Sequence, residues 1–463
     1  MNPASVTTPV GGASSTAPRA GASPNPLLDA PILATILRLT TPSLVLALFQ
    51  TAVSIGDTYF VGRLGTDALA GLALAFPLVM LLQMLSAGAM GGGVSSAIAR
   101  ALGANERAQA RSLVAHALVI ALVAGAVFTV LLLAFGAALY VMLGGRDAAL
   151  AHALRYSDVL FAGAVFVWLA NTLASALRGS GNTFAPAVAL AAAAIVQVPL
   201  CGALTQGWAP FPQLGIRGAA IAYVLAFALS SVGMALYLWS GALRPREADW
   251  RLMRQRFRDI LRVGMISSLG ALQTVLTTII LTGLVAGFGS AALAGYGVGV
   301  RLELLQIPIV FAVGQALVVL VGTHVGARRA ERAKKIAWIG AASAMIVCLA
   351  IGLFVAAFPR AWVGIFSSDP AVLATGSLYL RIVAPTYVMF GAGMALYFAS
   401  QGAGHILLPM LAGTARLLVV VLGGMIMLAL AAPLGWLFSV IALGLTTLGA
   451  LTALAVWRTS WQK

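Results

Sequence analysis

The sequence predicts an all-α polytopic membrane protein, with twelve transmembrane helices in two parallel-repeat six-helix bundles. Three observations predict it. The first is composition: 61% of the 463 residues are hydrophobic and 9% charged, where a soluble domain carries roughly 25% charge. The second is that the apolar runs reach about 20 residues without alternating. Backbone in lipid must satisfy its own hydrogen bonds, so only helices or a closed barrel cross it, and a barrel would alternate. The third is duplication. Phe60–Gly71 (FVGRLGTDALAG) returns as Leu284–Gly295 (LVAGFGSAALAG), Leu102–Arg107 (LGANER) as Val325–Ala330 (VGARRA), and Gly179–Asn182 (GSGN) as Gly402–His405 (GAGH), followed by Pro186 and Pro409. The step is 224 residues once and 223 twice. Two like halves in a multi-helix membrane protein are the plan of secondary transporters.

The elements follow in order. Residues 1–33 read as a disordered cytoplasmic tail, rich in Ala, Gly, Ser, Thr and Pro and unable to build a core. The tail lacks the pattern of a signal peptide, so the first span serves as the insertion signal. The amino-terminal lobe, 34–240, holds spans at 34–60, 68–98, 112–140, 152–178, 184–206 and 214–240. The carboxy-terminal lobe, 258–457, holds spans at 258–288, 293–323, 333–357, 373–399, 406–430 and 434–457. Turn-rich breaks at Leu143–Asp147 and Phe366–Pro370 fall at equivalent places in the two halves. Residues 241–257 form the inter-lobe link, either an amphipathic surface helix or a plain linker, and 458–463 a short tail.

Charge fixes the orientation. Arg100, Arg107 and Arg111 follow span two, Arg178 follows span four, and seven arginines from Arg244 to Arg262 fill the link. Arg328, Arg329, Arg332, Lys334 and Lys335 follow span eight, and Arg458 and Lys463 end the chain. The positive-inside rule places both termini and the link in the cytoplasm, with the protein in the cell's inner (plasma) membrane. The net charge of +16 is therefore orientation charge, split among short loops, and no nucleic-acid partner is expected.

No Walker motif, dinucleotide fingerprint or nucleophile elbow occurs, so no enzyme is expected. Gly91–Gly93 lies inside a span, where small residues permit helix contact or bending. Cys201 and Cys348 sit in apolar runs, and His116, His152, His324 and His405 share no ligand spacing. Neither a metal nor a cofactor is expected.

Intramembrane polar residues carry the functional expectation. Gln50, Ser54 and Asp57 share one face of span one, and Pro42 interrupts its ladder. Asp57 is the principal ion-coupling candidate. Glu303 is the second. Arg301 lies two residues from it, a spacing that does not face on a helix, and Pro308 follows. Asn171 on span four, Gln273 and Thr277 on span seven and Arg381 on span ten are supporting polar positions. Arg381 and Arg416 are buried cations available to Glu303 or to lipid headgroups. Trp168, Tyr296, Tyr387 and Tyr397 are candidates for lining a substrate cavity.

Asp57–Ala70 (DTYFVGRLGTDALA), Leu177–Asn182 (LRGSGN) with Pro186, Arg301–Glu303 (RLE) with Pro308, Val321–Gly326 (VGTHVG) and Gln401–Gly404 (QGAG) with Pro409 resemble segments of the multidrug and toxic compound extrusion (MATE) transporters. The resemblance runs from about 34 to 457. It implies two six-helix lobes and export of small amphipathic, often cationic compounds against proton or sodium flow, by a monomer among membrane lipids. Asp57 and Pro42 match the first-helix aspartate and proline that the family's proton-coupled branch associates with protonation and bending. The acids that sodium-coupled members carry in spans seven and ten have no counterpart here. The expectation is proton antiport by alternating access. Sodium coupling, a lipid-linked precursor flippase and a non-transporting scaffold are the alternatives.

Overall fold

Each apolar run satisfies its own backbone as a helix, and helix is the regular structure throughout the described residues, 27–462. The computed structural model orders them as α1 (Ile32–Gly62), α2 (Thr66–Gln83), a π-helical segment (Met84–Met90), α3 (Gly91–Gly103), α4 (Arg107–Met142), α5 (Asp147–Ala162), α6 (Ala164–Gly179), α7 (Phe184–Gln206) and α8 (Ile216–Ser240). The second half follows as α9 (Arg254–Ala286), α10 (Ser290–Gly326), α11 (Ala330–Ala357), the short α12 (Pro359–Val363), α13 (Pro370–Val383), α14 (Tyr387–Ala403), α15 (Leu407–Ala429) and α16 (Leu434–Arg458). Eleven helices among the described residues are long and apolar enough to cross a membrane, and the pair α5–α6, bent by 52°, makes twelve.

The structure refines the predicted spans. Span two runs from Thr66 to Gly103 and contains the π segment. Span four breaks at Gly163, and span ten breaks over Ala384–Thr386 around Pro385. Positions 163 and 386 keep the 223-residue step, so the α-helix is interrupted at the same place in both halves. The predicted tail over residues 1–26 lies outside the described residues. Residues 27–30 form a turn with Leu27 buried, and α1 begins at Ile32, two residues before the predicted span.

The amino half has one continuous apolar core, running from Val61 to Leu238 and receiving Ile260 from α9. The carboxy half has two. One surrounds Tyr379, Tyr387 and Phe438. The other joins Ala316–Val321 of α10 to Ile36 and Leu39 of α1.

The lobes meet at the end that carries the basic loops. There α3 packs against α9, α10 and α14. Every residue from Met90 to Ala99 is buried. Arg100 donates to the Gly402 carbonyl at 3.0 Å. The segments leading into the lobes are exchanged at this end. Ahead of α1, Asp29 pairs with Arg329 of the other lobe at 2.6 Å, and Arg332 donates to the Ala30 carbonyl at 2.8 Å. Ahead of α9, Asp249 pairs with Arg111 of α4 at 3.3 Å, and the Met253 N–H donates to His116 Nε2 at 2.9 Å. The link is thus docked on α4 through a short 3-10 turn, Glu247–Trp250, and α9 starts four residues before the predicted 258.

Candidate functional site

Asp57 is half-buried on α1 and turned toward α7. Gln197 Nε2 donates to its Oδ2 at 2.9 Å, while Oδ1 is shut off from solvent with no partner among the described residues. Gly56 allows this approach. A Cβ there would stand 2.9 Å from Val198 Cγ1, so any larger residue would push the two helices apart. Cys201, one turn beyond Gln197, faces the same carboxylate, and Tyr156 of α5 and Tyr223 of α8 lie within its electrostatic reach. Gln50 and Ser54 share the Asp57 stripe but are exposed, and Asp57 is the member of the stripe that turns to a neighbouring helix. Pro42 lies inside α1, where its missing N–H leaves one helix bond unmade.

A polar network continues inward from Tyr223. Gln83 Nε2 donates to the Tyr223 hydroxyl at 2.6 Å. Asn171 Nδ2 donates to Gln83 Oε1 at 2.9 Å and to Ser86 Oγ at 2.8 Å. Asn171 thus ties α6 to the start of the π segment. Ser175 and Arg178 extend the same face of α6, with Arg178 donating to Ser175 Oγ at 3.1 Å.

The carboxy lobe holds its own acid. Glu303 of α10 is half-buried and accepts a hydrogen bond from the Tyr379 hydroxyl of α13. Tyr296 stacks edge-on against Tyr379 at 5.5 Å, and Phe438 does so at 5.1 Å. Arg416 of α15 lies in the electrostatic neighbourhood of Glu303 and Tyr379 without a direct ion pair. Arg301 does not pair with Glu303. It is exposed and lies over the Phe366 ring at 5.1 Å, as the two-residue spacing requires. Arg381 corrects the expectation of a buried cation: it is exposed, about 200° around α13 from Tyr379. Pro308 interrupts α10 one turn beyond Glu303.

Gln273 donates to Thr414 Oγ1 at 2.8 Å, tying α9 to α15, and Thr277 donates to the Gln273 carbonyl within α9 at 2.7 Å. Trp168 is packed in the amino core, and Tyr296 and Tyr387 are buried around Glu303, so these three are enclosed rather than set on an open wall. Tyr397 is half-buried beside Phe398. The residues that sequence reasoning missed are Gln197, Gln83, Tyr223, Tyr379 and Gln401. One signal was available: Tyr156 and Tyr379 occupy equivalent positions in the two halves. No cluster of three or more metal-ligating side chains occurs among the described residues.

Two six-span halves with an acid inside each delimit the fold, and the MatE family profile matches both, over residues 42–202 and 267–427. The chain belongs to the MatE family. Members of the MatE family are membrane transporters and not enzymes. Similar curated proteins include the FAD transporter of Shewanella oneidensis, 28% identical over 79% of this chain and 81% of that protein. Another is the probable multidrug resistance protein NorM of Thermotoga maritima, 24% identical over 81% of each. Among solved structures, a MATE in the bent conformation superposes with a TM-score of 0.86 at 25% identity, over 93% of this chain and 96% of that one. A MOP superfamily transporter from Pyrococcus furiosus, whose binding pocket is described as having reverse polarity, superposes at 0.85 and 25%, over 94% and 98%. The MatE fold needs no covalent chemistry.

Proposed function

We propose that this MatE protein exports amphipathic, cationic organic compounds by proton-coupled alternating access, with Asp57 as the coupling residue. The observation that carries the reading is the Asp57 carboxylate, held by Gln197 through one oxygen and shut off from solvent at the other, with only the weakly donating Cys201 thiol facing it, inside a membrane span. A lone carboxylate away from water is expensive unless a cation or a proton joins it. Proton and cationic cargo therefore compete for the same charge. With the basic loops in the cytoplasm, the packed end is the inner one and the conformation faces outward. A proton arriving from outside neutralises Asp57 and releases cargo; reopening inward returns the proton. The membrane potential supplies roughly 2.3 kcal/mol per charge per 100 mV, enough to bias the cycle.

A second reading has its own observation. Arg416 stands across from Glu303 without a direct ion pair, and a relative is named an FAD transporter. An anionic cargo would engage Arg416.

The test is transport in reconstituted vesicles under separate proton and sodium gradients, with a fluorescent organic cation and with a flavin nucleotide. Proton-driven cation flux in wild type, abolished in Asp57→Asn with folding retained, supports the first reading. Flavin flux lost in Arg416→Gln supports the second. Flux under sodium alone replaces the coupling ion.

A further inference from the structure

The Asp57 network and the packed basic end share one element, the π-helical segment Met84–Met90. A π turn carries an extra residue, so its carbonyls are out of register with those of the flanking α-helix, and such segments recur at functional sites. Here the Gly91 N–H reaches back five residues to the Ser86 carbonyl. Two sets of side chains hold the segment. On the amino-lobe side, Asn171 holds Ser86 and Gln83, and Gln83 holds Tyr223, which lies within reach of the Asp57 charge.

On the other side stands Gln401, at the end of α14 in the carboxy lobe and fully buried. Its Nε2 donates to Ser267 Oγ at 2.9 Å and faces the Gly88 and Ala89 carbonyls of the π segment at 3.3 and 3.5 Å. The amide lies flat against Gly92, where any Cβ would overlap it. Its Oε1 has no partner among the described residues. Packing the lobes thus makes donor contacts to one short segment and strands an acceptor, an arrangement that both holds the packed state and favours its release.

We propose that Gln401 is a positioning residue for transport: it couples lobe closure at the basic end to the amino-lobe carboxylate network through the π segment. The proposal rests on the antiport reading. In it, the charge on Asp57 sets the Tyr223–Gln83–Asn171 bonds, these set the register of Met84–Met90, and the register decides whether Gly88 and Ala89 present carbonyls to Gln401. Closure then follows the state of a group in the other lobe without touching it.

The experiment measures spin-label distances between Ala104 and Ala327, the equivalent loop positions at the ends of α3 and α10, in lipid nanodiscs over a range of pH. Turnover in vesicles is measured in parallel. Wild type is expected to show short and long distances in pH-dependent proportion. Gln401→Ala should favour the long distance at every pH and lower turnover about tenfold at unchanged KM, as for one lost hydrogen bond. Gln401→Asn, which keeps the amide but falls short of the segment, should do the same. Asn171→Ala should keep both distances and lose their pH dependence. A pH dependence like that of wild type in Gln401→Ala or Asn171→Ala, with Asp57→Asn flat, overturns the proposal and leaves the antiport reading standing. A wild type that is itself flat and indistinguishable from Asp57→Asn overturns that reading, and the proposal with it.

Discussion

Gly103 and Gly326 stand 223 residues apart in sequence and each packs its bare Cα against the other's helix. A Cβ on Gly103 would collide with the Thr323 carbonyl, and one on Gly326 with the Arg100 carbonyl. Arg100 and Thr323 keep the same 223-residue step. The two contacts are therefore one contact repeated by the pseudo-twofold axis along the membrane normal, expected for parallel repeats. The lobes close at the basic end because four backbone positions meet with no side chain between them.

Substitution of either glycine should hold this end open. The atoms in the way are backbone carbonyls, which cannot turn aside as a side chain can. Overpacking of this kind costs about 1–3 kcal/mol, roughly fivefold or more in the closed-to-open ratio. Gly103→Ala and Gly326→Ala should each lengthen the 104–327 label distance and reduce turnover by about that factor. Gly62→Ala, where nothing lies within 4 Å, is the control. Equal turnover in all three would mean that this contact does not limit the cycle.

The segment ahead of α1 should respond unequally to loss of either charge that latches it. Asp29 has Arg329 beside it as hydrogen-bond donor and counter-charge, and its carboxyl is held below the ordinary carboxylate value. A depressed carboxyl stabilises its contact at pH above the ordinary value, about 3.9, and loses that contribution as pH falls through the lowered one. The latch is therefore intact at neutral pH and does not sense the physiological range. Arg329 also donates to the Leu28 carbonyl at 3.2 Å. Hydrogen exchange over residues 27–40 should accelerate more in Arg329→Ala than in Asp29→Asn, and both variants should lose the wild type's sensitivity to acid, since either removes the pair that depresses the carboxyl. The same rate in both variants would show that the carbonyl contact holds nothing.

Tyr156 and Tyr379 are repeat-equivalent, and each lies beside the acid of its lobe, but only Tyr379 bonds it. Removing that hydroxyl leaves a carboxylate oxygen of Glu303 without its donor, at about 1–3 kcal/mol. Tyr379→Phe should lower the melting temperature in detergent clearly, and Tyr156→Phe little. A larger loss in Tyr156→Phe would move the structural role to the amino lobe.

The twelve crossings were legible because length and apolarity suffice to define a span. The duplication was legible because packing at the axis fixes residues such as Gly103 and Gly326 in register. Asp57 stood out because a carboxylate in an apolar run has few bland explanations. Its partners were not legible. Gln197, Gln83 and Tyr223 lie on three other helices, and periodicity gives the side of a helix but not its neighbour. The π segment was hidden for a different reason: Met84–Met90 contains no proline to mark it, and its register is set by Asn171 and Gln401 from outside. The burial of Trp168 and Tyr387 reflects the same limit, since an aromatic inside a span reads alike whether it faces a cavity or a core.

The last prediction concerns spacing at Asp57. Gly56 and Val198 set the distance between α1 and α7, and the Gln197–Asp57 bond lies one residue from each. Val198 is β-branched and stiff, so it does not yield easily to a new methyl group. Gly56→Ala should displace α1, lengthen the 2.9 Å bond and lower proton-driven flux several-fold, within the 1–3 kcal/mol expected of overpacking. Val198→Ala alone opens space that the helices do not need and should change flux little. Together the two substitutions exchange one methyl for two across the same gap and should restore most of the loss, a coupling expected only of residues in contact. If the double variant transports no better than Gly56→Ala, helix spacing is not what Gly56 controls, and the bond to Gln197 is formed independently of it.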